Sequence, residues 1–176
     1  AKILNTSDLE KMPDLHIRMS LQLQQAFGLR REEAIKFQTG FADQGDHIRL
    51  KASWTKGGKS RTIPVRTDAQ RDLLDRIRKH VGSGSLIPAE RSYVQQLRVY
   101  ERLTANAGLS RMHGLRHDYT QRRYEELAGW PSPAAGGPIS KQLSPAQKER
   151  DHQVRCLISL EIGHGREQVL SLYLGK

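Results

Sequence analysis

Apolar positions recur every three to four residues along most of this chain, and one stretch alternates instead. Leu15, Met19, Leu23 and Phe27 share one helical face. Ser7 with Glu10 forms a candidate capping box ahead of them, and Gly28 interrupts the pattern. Helix resumes over 30–37, with Ala34 and Phe37 turned inward. The period then changes to two. His47 to Trp54 alternates polar and apolar residues, and Arg61 to Val65 follows after Gly57-Gly58, which predicts a β-hairpin with a Gly-Gly turn. Thr67-Asp68 opens a helix that carries Leu73, Leu74 and Ile77 and closes before Gly82. Further helices are expected over 91–106, 113–127, 147–162 and 166–174. Between Ala128 and Pro145 the chain is rich in Pro, Gly and Ser, which predicts a surface loop over 129–145. The pattern specifies a mostly α fold (α+β), several helices with one small antiparallel hairpin, and neither an internal repeat nor a second domain.

Charge adds a partner class to this outline. Twenty-nine Lys and Arg stand against nineteen Asp and Glu, a formal net charge of +10. A polyanion neutralises such a surface, and nucleic acid is the commonest one. The single Cys156 excludes an internal disulfide and a multi-cysteine zinc site, and its apolar surroundings (VRCLISLEI) predict a buried structural thiol. No apolar run approaches the roughly 18 residues that span a bilayer, and no signal-peptide core opens the chain, so a soluble, intracellular protein is expected.

Candidate chemistry is scattered and individually weak. Arg30 with Glu33 fits an ordinary helix start, and Lys56 and Lys59 fit turn charges. His113 and Arg116 lie one helical turn apart and fit a basic helix surface. His164 fits a helix end, and Tyr173 fits a core aromatic. Their order is more telling. The succession GLRREE, WTKGGKSRTIPV, HGLRH and IGHGREQVLSLY resembles the catalytic domain of the tyrosine recombinase and phage integrase family. That family carries an Arg with a Glu three residues on, a hairpin Lys, a His-x-x-Arg helix, a Gly-His step and a Tyr nine residues after that His. The resemblance covers about residues 21–175. The chain departs from it in two ways. The stretch from Arg116 to His164 is long for the family, its excess being the 129–145 segment, expected as a surface insertion of the kind that mobile-element integrases carry. The family's N-terminal core-binding domain is not represented either, so residues 1–176 are expected to be a single catalytic domain taken from a longer protein.

The resemblance implies a tyrosine recombinase-like fold and a site-specific DNA integrase that acts through a 3′-phosphotyrosine. It makes Tyr173 the nucleophile, with Arg30 and Arg116 forked onto the phosphate oxygens, an arrangement suited to planar bidentate donors. His113 and His164 would bond to the same phosphate, and His113 is the implied acceptor of the tyrosine proton. Lys56 would protonate the departing 5′-oxygen, with Lys59 its rival. Glu33 would orient Arg30 or a neighbouring His, and Lys59, Arg61 and His117 would face DNA. With two Arg and one Lys supplying positive charge, neither metal nor cofactor is required. The implied partners are double-stranded DNA and further copies of the full-length protein, as a tetramer, in the bacterial cytoplasm at the nucleoid. A type IB topoisomerase shares this active site and fold, and a non-catalytic basic DNA-binding module would explain the charge and the helices. An RNA-binding module fits poorly, because only 6% of residues are aromatic and no stacking motif occurs.

Overall fold

Asp14 accepts a hydrogen bond from the Ile17 amide at 3.1 Å and so starts helix α1 (Leu15–Phe27). Gly28 ends it in the left-handed conformation at φ 70°, which glycine adopts without a Cβ clash. The computed structural model describes Leu9, residues 12–108, 113–164 and 167–176, and gives only the backbone for His113 and residues 167–169. The Ser7–Glu10 capping box lies outside the described residues. Contacts divide the chain into two compact units, Ala1–Arg116 and His117–Lys176.

In the first unit α1 is buried on two flanks. Met19, Leu23 and Phe27 share a core with Ile48, Leu50 and Ile63 of the hairpin and with Leu73, Leu74 and Ile77 of α4 (Asp68–Val81). Ile17 and Leu21 share a second core with Tyr100 of α5 (Tyr93–Asn106) and Leu115 of α6 (His113–Ala128). Leu15, expected to face inward, is 37% exposed at the helix start. Short α2 (Arg31–Lys36) follows α1, buries Glu33, Ala34 and Ile35, and leads into the single turn α3 (Thr39–Ala42).

The hairpin forms, but without the tight turn. Strands β1 (His47–Leu50) and β2 (Arg61–Pro64) pair antiparallel, with Ile48 opposite Ile63 and Leu50 opposite Arg61. Residues 51–60 connect them, beginning with a 3-10 turn at Ala52–Trp54. The strand stops early because Trp54 turns into the core, 3% exposed, against Phe37 and Phe41 at ring-centroid distances of 6.2 and 5.6 Å. Gly57 and Gly58, both at positive φ, lie within this longer loop.

The second unit joins α6 to α7 (Pro145–Glu161) and α8 (Glu167–Leu174) around Tyr119, Tyr124, Val154, Ile158, Ile162, Leu170 and Leu174. Two polar clusters tie α6 to α7. Asp151 accepts from the Tyr124 hydroxyl and from Arg155 Nε, and Glu161 accepts from the Tyr119 hydroxyl and the Arg123 guanidinium. Cys156 is exposed on α7, not buried as its apolar neighbours suggest. Val154 and Ile158 occupy the inward positions, and Leu157 and Leu160 share the outer surface with the thiol.

The 129–145 segment is more ordered than a solvated loop. It holds 3-10 turns at Pro133–Ala135 and Ser140–Gln142. Residues 134–136 and 139–142 are exposed, whereas Ser132 and Leu143 are buried and Trp130 packs against the unit's core. Its base touches the end of α8, where a Cβ added to Gly175 would lie 3.1 Å from Pro133 Cβ. Among the described residues, no helix is long and apolar enough to cross a membrane.

Candidate active site

Seven of the expected site residues lie in the first unit. The αL turn at Gly28 redirects the chain so that Arg30 caps the start of α2 and Glu33 stands three residues inside it. Glu33 is fully buried. One of its oxygens accepts from the Arg30 backbone amide at 2.8 Å and from Arg61 Nη2 at 2.8 Å. The other accepts from Arg61 Nη1 and stands 3.5 Å from Arg30 Nη1. Burial alone would raise the Glu33 carboxyl, but the Arg61 guanidinium, with help from Arg30, holds it below the usual carboxylate range.

Arg116 approaches the same turn from α6. It is 5% exposed and donates from Nη1 to the Gly28 carbonyl at 2.6 Å, two residues before Arg30. The structure therefore brings Arg30, Glu33 and Arg116 together around Gly28-Leu29-Arg30. Arg61, expected to face DNA, is turned inward instead: its side chain is 8% exposed and grips Glu33 with both terminal nitrogens. His113 begins α6, but its side chain lies outside the described residues.

Lys56 and Lys59 are exposed on the loop between the strands. The Thr55 hydroxyl donates to Lys59 O at 2.7 Å and to Ala52 O at 3.0 Å, and the Gly58 amide donates to Thr55 O at 3.1 Å. These bonds fold residues 55–59 into a defined turn that presents both lysines. The sequence alone did not mark Thr55, although its small buried hydroxyl beside Gly-Gly is a known kind of turn signal.

The second unit holds the remaining three. A Schellman closure ends α7. Gly163, at φ 82°, donates to Leu160 O at 3.2 Å, and the His164 amide donates to Ser159 O at 2.8 Å. The Ser159 hydroxyl donates to His164 O at 2.7 Å and fastens the residue from its other side. The Tyr173 backbone is held by Gln121 of α6, whose Nε2 donates to Tyr173 O at 3.1 Å. Two imidazoles meet the half-buried phenol ring: His117 at 4.4 Å between centroids and His164 at 5.6 Å. His117, expected to face DNA, is thus a neighbour of Tyr173.

Chemically, the first unit presents fixed guanidinium groups beside an exposed lysine loop, a combination suited to a phosphate. The second presents a tyrosine hydroxyl next to imidazoles. No group of three or more metal-ligating side chains occurs among the described residues.

An integrase family model matches residues 2–122. Two solved structures align over nearly the whole chain, both of the XerH site-specific recombinase. The complex with difH substrate before cleavage gives a TM-score of 0.51 at 19% identity over 98% of this chain. The post-cleavage complex with palindromic difH substrate gives 0.55 at 19% identity over 97%. This chain spans about half of those proteins, 50% and 48% respectively. No match is found among curated proteins. At this identity the structural likeness speaks for the fold, a mostly helical tyrosine recombinase fold with a small antiparallel sheet.

Proposed function

The chain belongs to the integrase family, and on that premise we propose that it is the catalytic region of a site-specific DNA recombinase that cuts and rejoins strands through Tyr173. The observation that carries this reading is the Tyr173 phenol set against His117 and His164. A phenol has an ordinary pKa near 10 and is a weak nucleophile until a neighbouring base takes its proton.

In the proposed reaction Tyr173 Oη attacks the scissile phosphorus in line. A phosphotyrosine forms at the 3′ end and the bond to the 5′-oxygen breaks. The phenol proton passes to an imidazole, and the 5′-oxygen takes a proton from Lys56 as it leaves. Arg30 and Arg116 stabilise the charge on the non-bridging oxygens, as fixed donors in a water-poor setting do best. Rejoining is the reverse, with the 5′-hydroxyl displacing the tyrosine, so the phosphoester bond is conserved and no nucleotide triphosphate is consumed. Because the positive charge is carried by side chains, the reaction is proposed to need neither metal nor cofactor.

The proposed partner is double-stranded DNA, consistent with the +10 charge and with XerH, a site-specific recombinase, having been solved bound to difH substrate. Assembly of the whole protein on DNA as a tetramer, and action at the bacterial nucleoid, belong to the same proposal.

The test is covalent trapping on a nicked suicide substrate. Wild-type protein is expected to form a denaturation-resistant adduct, and Tyr173→Phe to form none while binding DNA with nearly unchanged affinity. Adducts at the wild-type level from Tyr173→Phe would assign the nucleophile elsewhere.

A further inference from the structure

We propose that Arg61 is a positioning residue for Arg30, acting through Glu33, and not a contact to DNA. Resting on the phosphotyrosine reading, this assigns a role to a basic residue whose sequence context suggests a groove-facing strand.

A carboxylate that is fully buried on the second residue pair of a short helix has to be neutralised where it stands. Arg61 does this with a two-pronged grip, and the geometry leaves each Glu33 oxygen shared between Arg61 and Arg30. Arg61 therefore fixes the plane of the carboxylate, and that plane sets where the Arg30 backbone amide and guanidinium sit. Arg30 itself is 21% exposed at the side chain, so its guanidinium reaches solvent from a buried mounting.

The mounting is rigid for identifiable reasons. Arg61 opens β2 and pairs across the sheet with Leu50, a fully buried core residue, so its backbone is fixed by the strand register. A second link joins α2 to the same loop: Lys36 Nζ donates to Ser53 O at 3.3 Å and to Glu32 at 2.7 Å. Lysine at position 61 would retain a charge but not the planar fork that engages both oxygens.

The test compares Arg61→Lys with wild type in three readings. The rate of adduct formation at saturating DNA is expected to fall by about 10–100-fold, with affinity for DNA within about twofold and an unchanged salt slope. A phosphate contact would behave oppositely, weakening binding and lowering the log–log salt slope by about 1. The rate should not recover on a substrate whose bridging 5′-oxygen is sulfur, because the defect lies in charge stabilisation and not in the leaving group. Finally, the Arg30 Nε–Hε resonance, assigned with Arg30→Lys, should shift or broaden in NMR spectra of the variant. Weaker, less salt-dependent binding, full recovery on the sulfur substrate, a wild-type rate or an unmoved Arg30 resonance would each overturn the proposal. If Arg61→Lys does not fold, Glu33→Gln, which keeps the shape but not the charge, is measured in the same way with the same expectations. Failure of the phosphotyrosine reading is recognised separately, by adducts persisting in Tyr173→Phe, and leaves the resonance measurement standing.

Discussion

The His117 imidazole lies against the Tyr173 phenol, their ring centroids 4.4 Å apart and their planes tilted by 57°. This is nearer than His164, at 5.6 Å. A ring so placed can pack against the nucleophile, accept its proton, or do both, and substitution separates the two. His117→Phe keeps an aromatic ring but removes both nitrogens, whereas His117→Gln keeps a hydrogen-bonding group without a base. If His117 accepts the proton, both variants lose adduct-forming rate within the about 10²–10⁴-fold that general base catalysis contributes, and the acidic limb of the pH–rate profile disappears with them. If it only packs, Phe retains the rate and Gln does not. Single-turnover rates across pH 5–9 decide the matter, with His113→Gln run alongside.

The Pro/Gly-rich segment divides into an outer and an inner part, and substitutions should follow that division. Ala134, Ala135 and Lys141 are exposed, so polar replacements there are expected to leave stability within about 0.5 kcal/mol. Gly137 is different. A Cβ at that position would stand 1.8 Å from the Pro131 carbonyl oxygen, and the Gly137 amide is already committed to Ser132 O at 2.8 Å. Gly137→Ala should therefore cost about 1–3 kcal/mol by overpacking, read as a lower melting temperature. A melting temperature equal to wild type would show that the turn yields freely.

Much of this architecture is legible because its causes are local. The helix Asp68–Val81 begins at Thr67, whose hydroxyl accepts from the Gln70 amide while the Gln70 side chain returns the bond, and it ends at Gly82. Both signals are written within a few residues. The hairpin strands are legible for the same reason, but their connection is not, since it depends on Trp54 finding Phe37 and Phe41. Cys156 is misleading because residues near it along the chain (Val154, Leu157, Ile158) are apolar, whereas His152 and Gln153, one helical turn away, are polar and mark an outer face. The roles of Arg61 and His117 are the least legible. Arg61 meets Glu33 across 28 positions of sequence and His117 meets Tyr173 across a helix junction, and no local pattern encodes either pairing.

The Glu33 carboxyl is held below its ordinary value, and stability should depend on pH accordingly. A carboxyl depressed in the folded state contributes stability above its unfolded pKa of about 4.3, and that contribution is lost as pH falls through the folded value. Glu33→Gln lacks the titrating group and leaves the Arg61 charge buried without its counterion, a loss of about 3–5 kcal/mol at neutral pH. The stability gap between wild type and variant should thus be widest near pH 7 and narrow below about pH 4, measured by denaturant unfolding at fixed ionic strength. A gap that is constant with pH would mean that the ion pair is not what stabilises the fold.

The turn that Thr55 closes presents two lysines, and the leaving-group proton distinguishes them. Lys56 immediately follows Thr55 and precedes the Gly57-Gly58 pair, while Lys59 lies beyond it with its carbonyl bound to the Thr55 hydroxyl. An alkoxide leaves poorly without a proton, so removal of the acid should slow cleavage by about 10²–10⁴-fold. A thiolate leaves unprotonated, so a bridging 5′-sulfur removes the requirement. Lys56→Ala is expected to be slow on the ordinary substrate and to recover most of its rate on the sulfur one. Arg116→Ala, which loses charge stabilisation at the phosphate, is expected to stay slow on both. Lys59→Ala should stay close to wild type on either, apart from weaker DNA binding. Recovery by Lys59→Ala in place of Lys56→Ala would move the acid to the far side of the glycines. Recovery by neither would place the proton donor outside this loop, and the turn would then serve only to hold DNA.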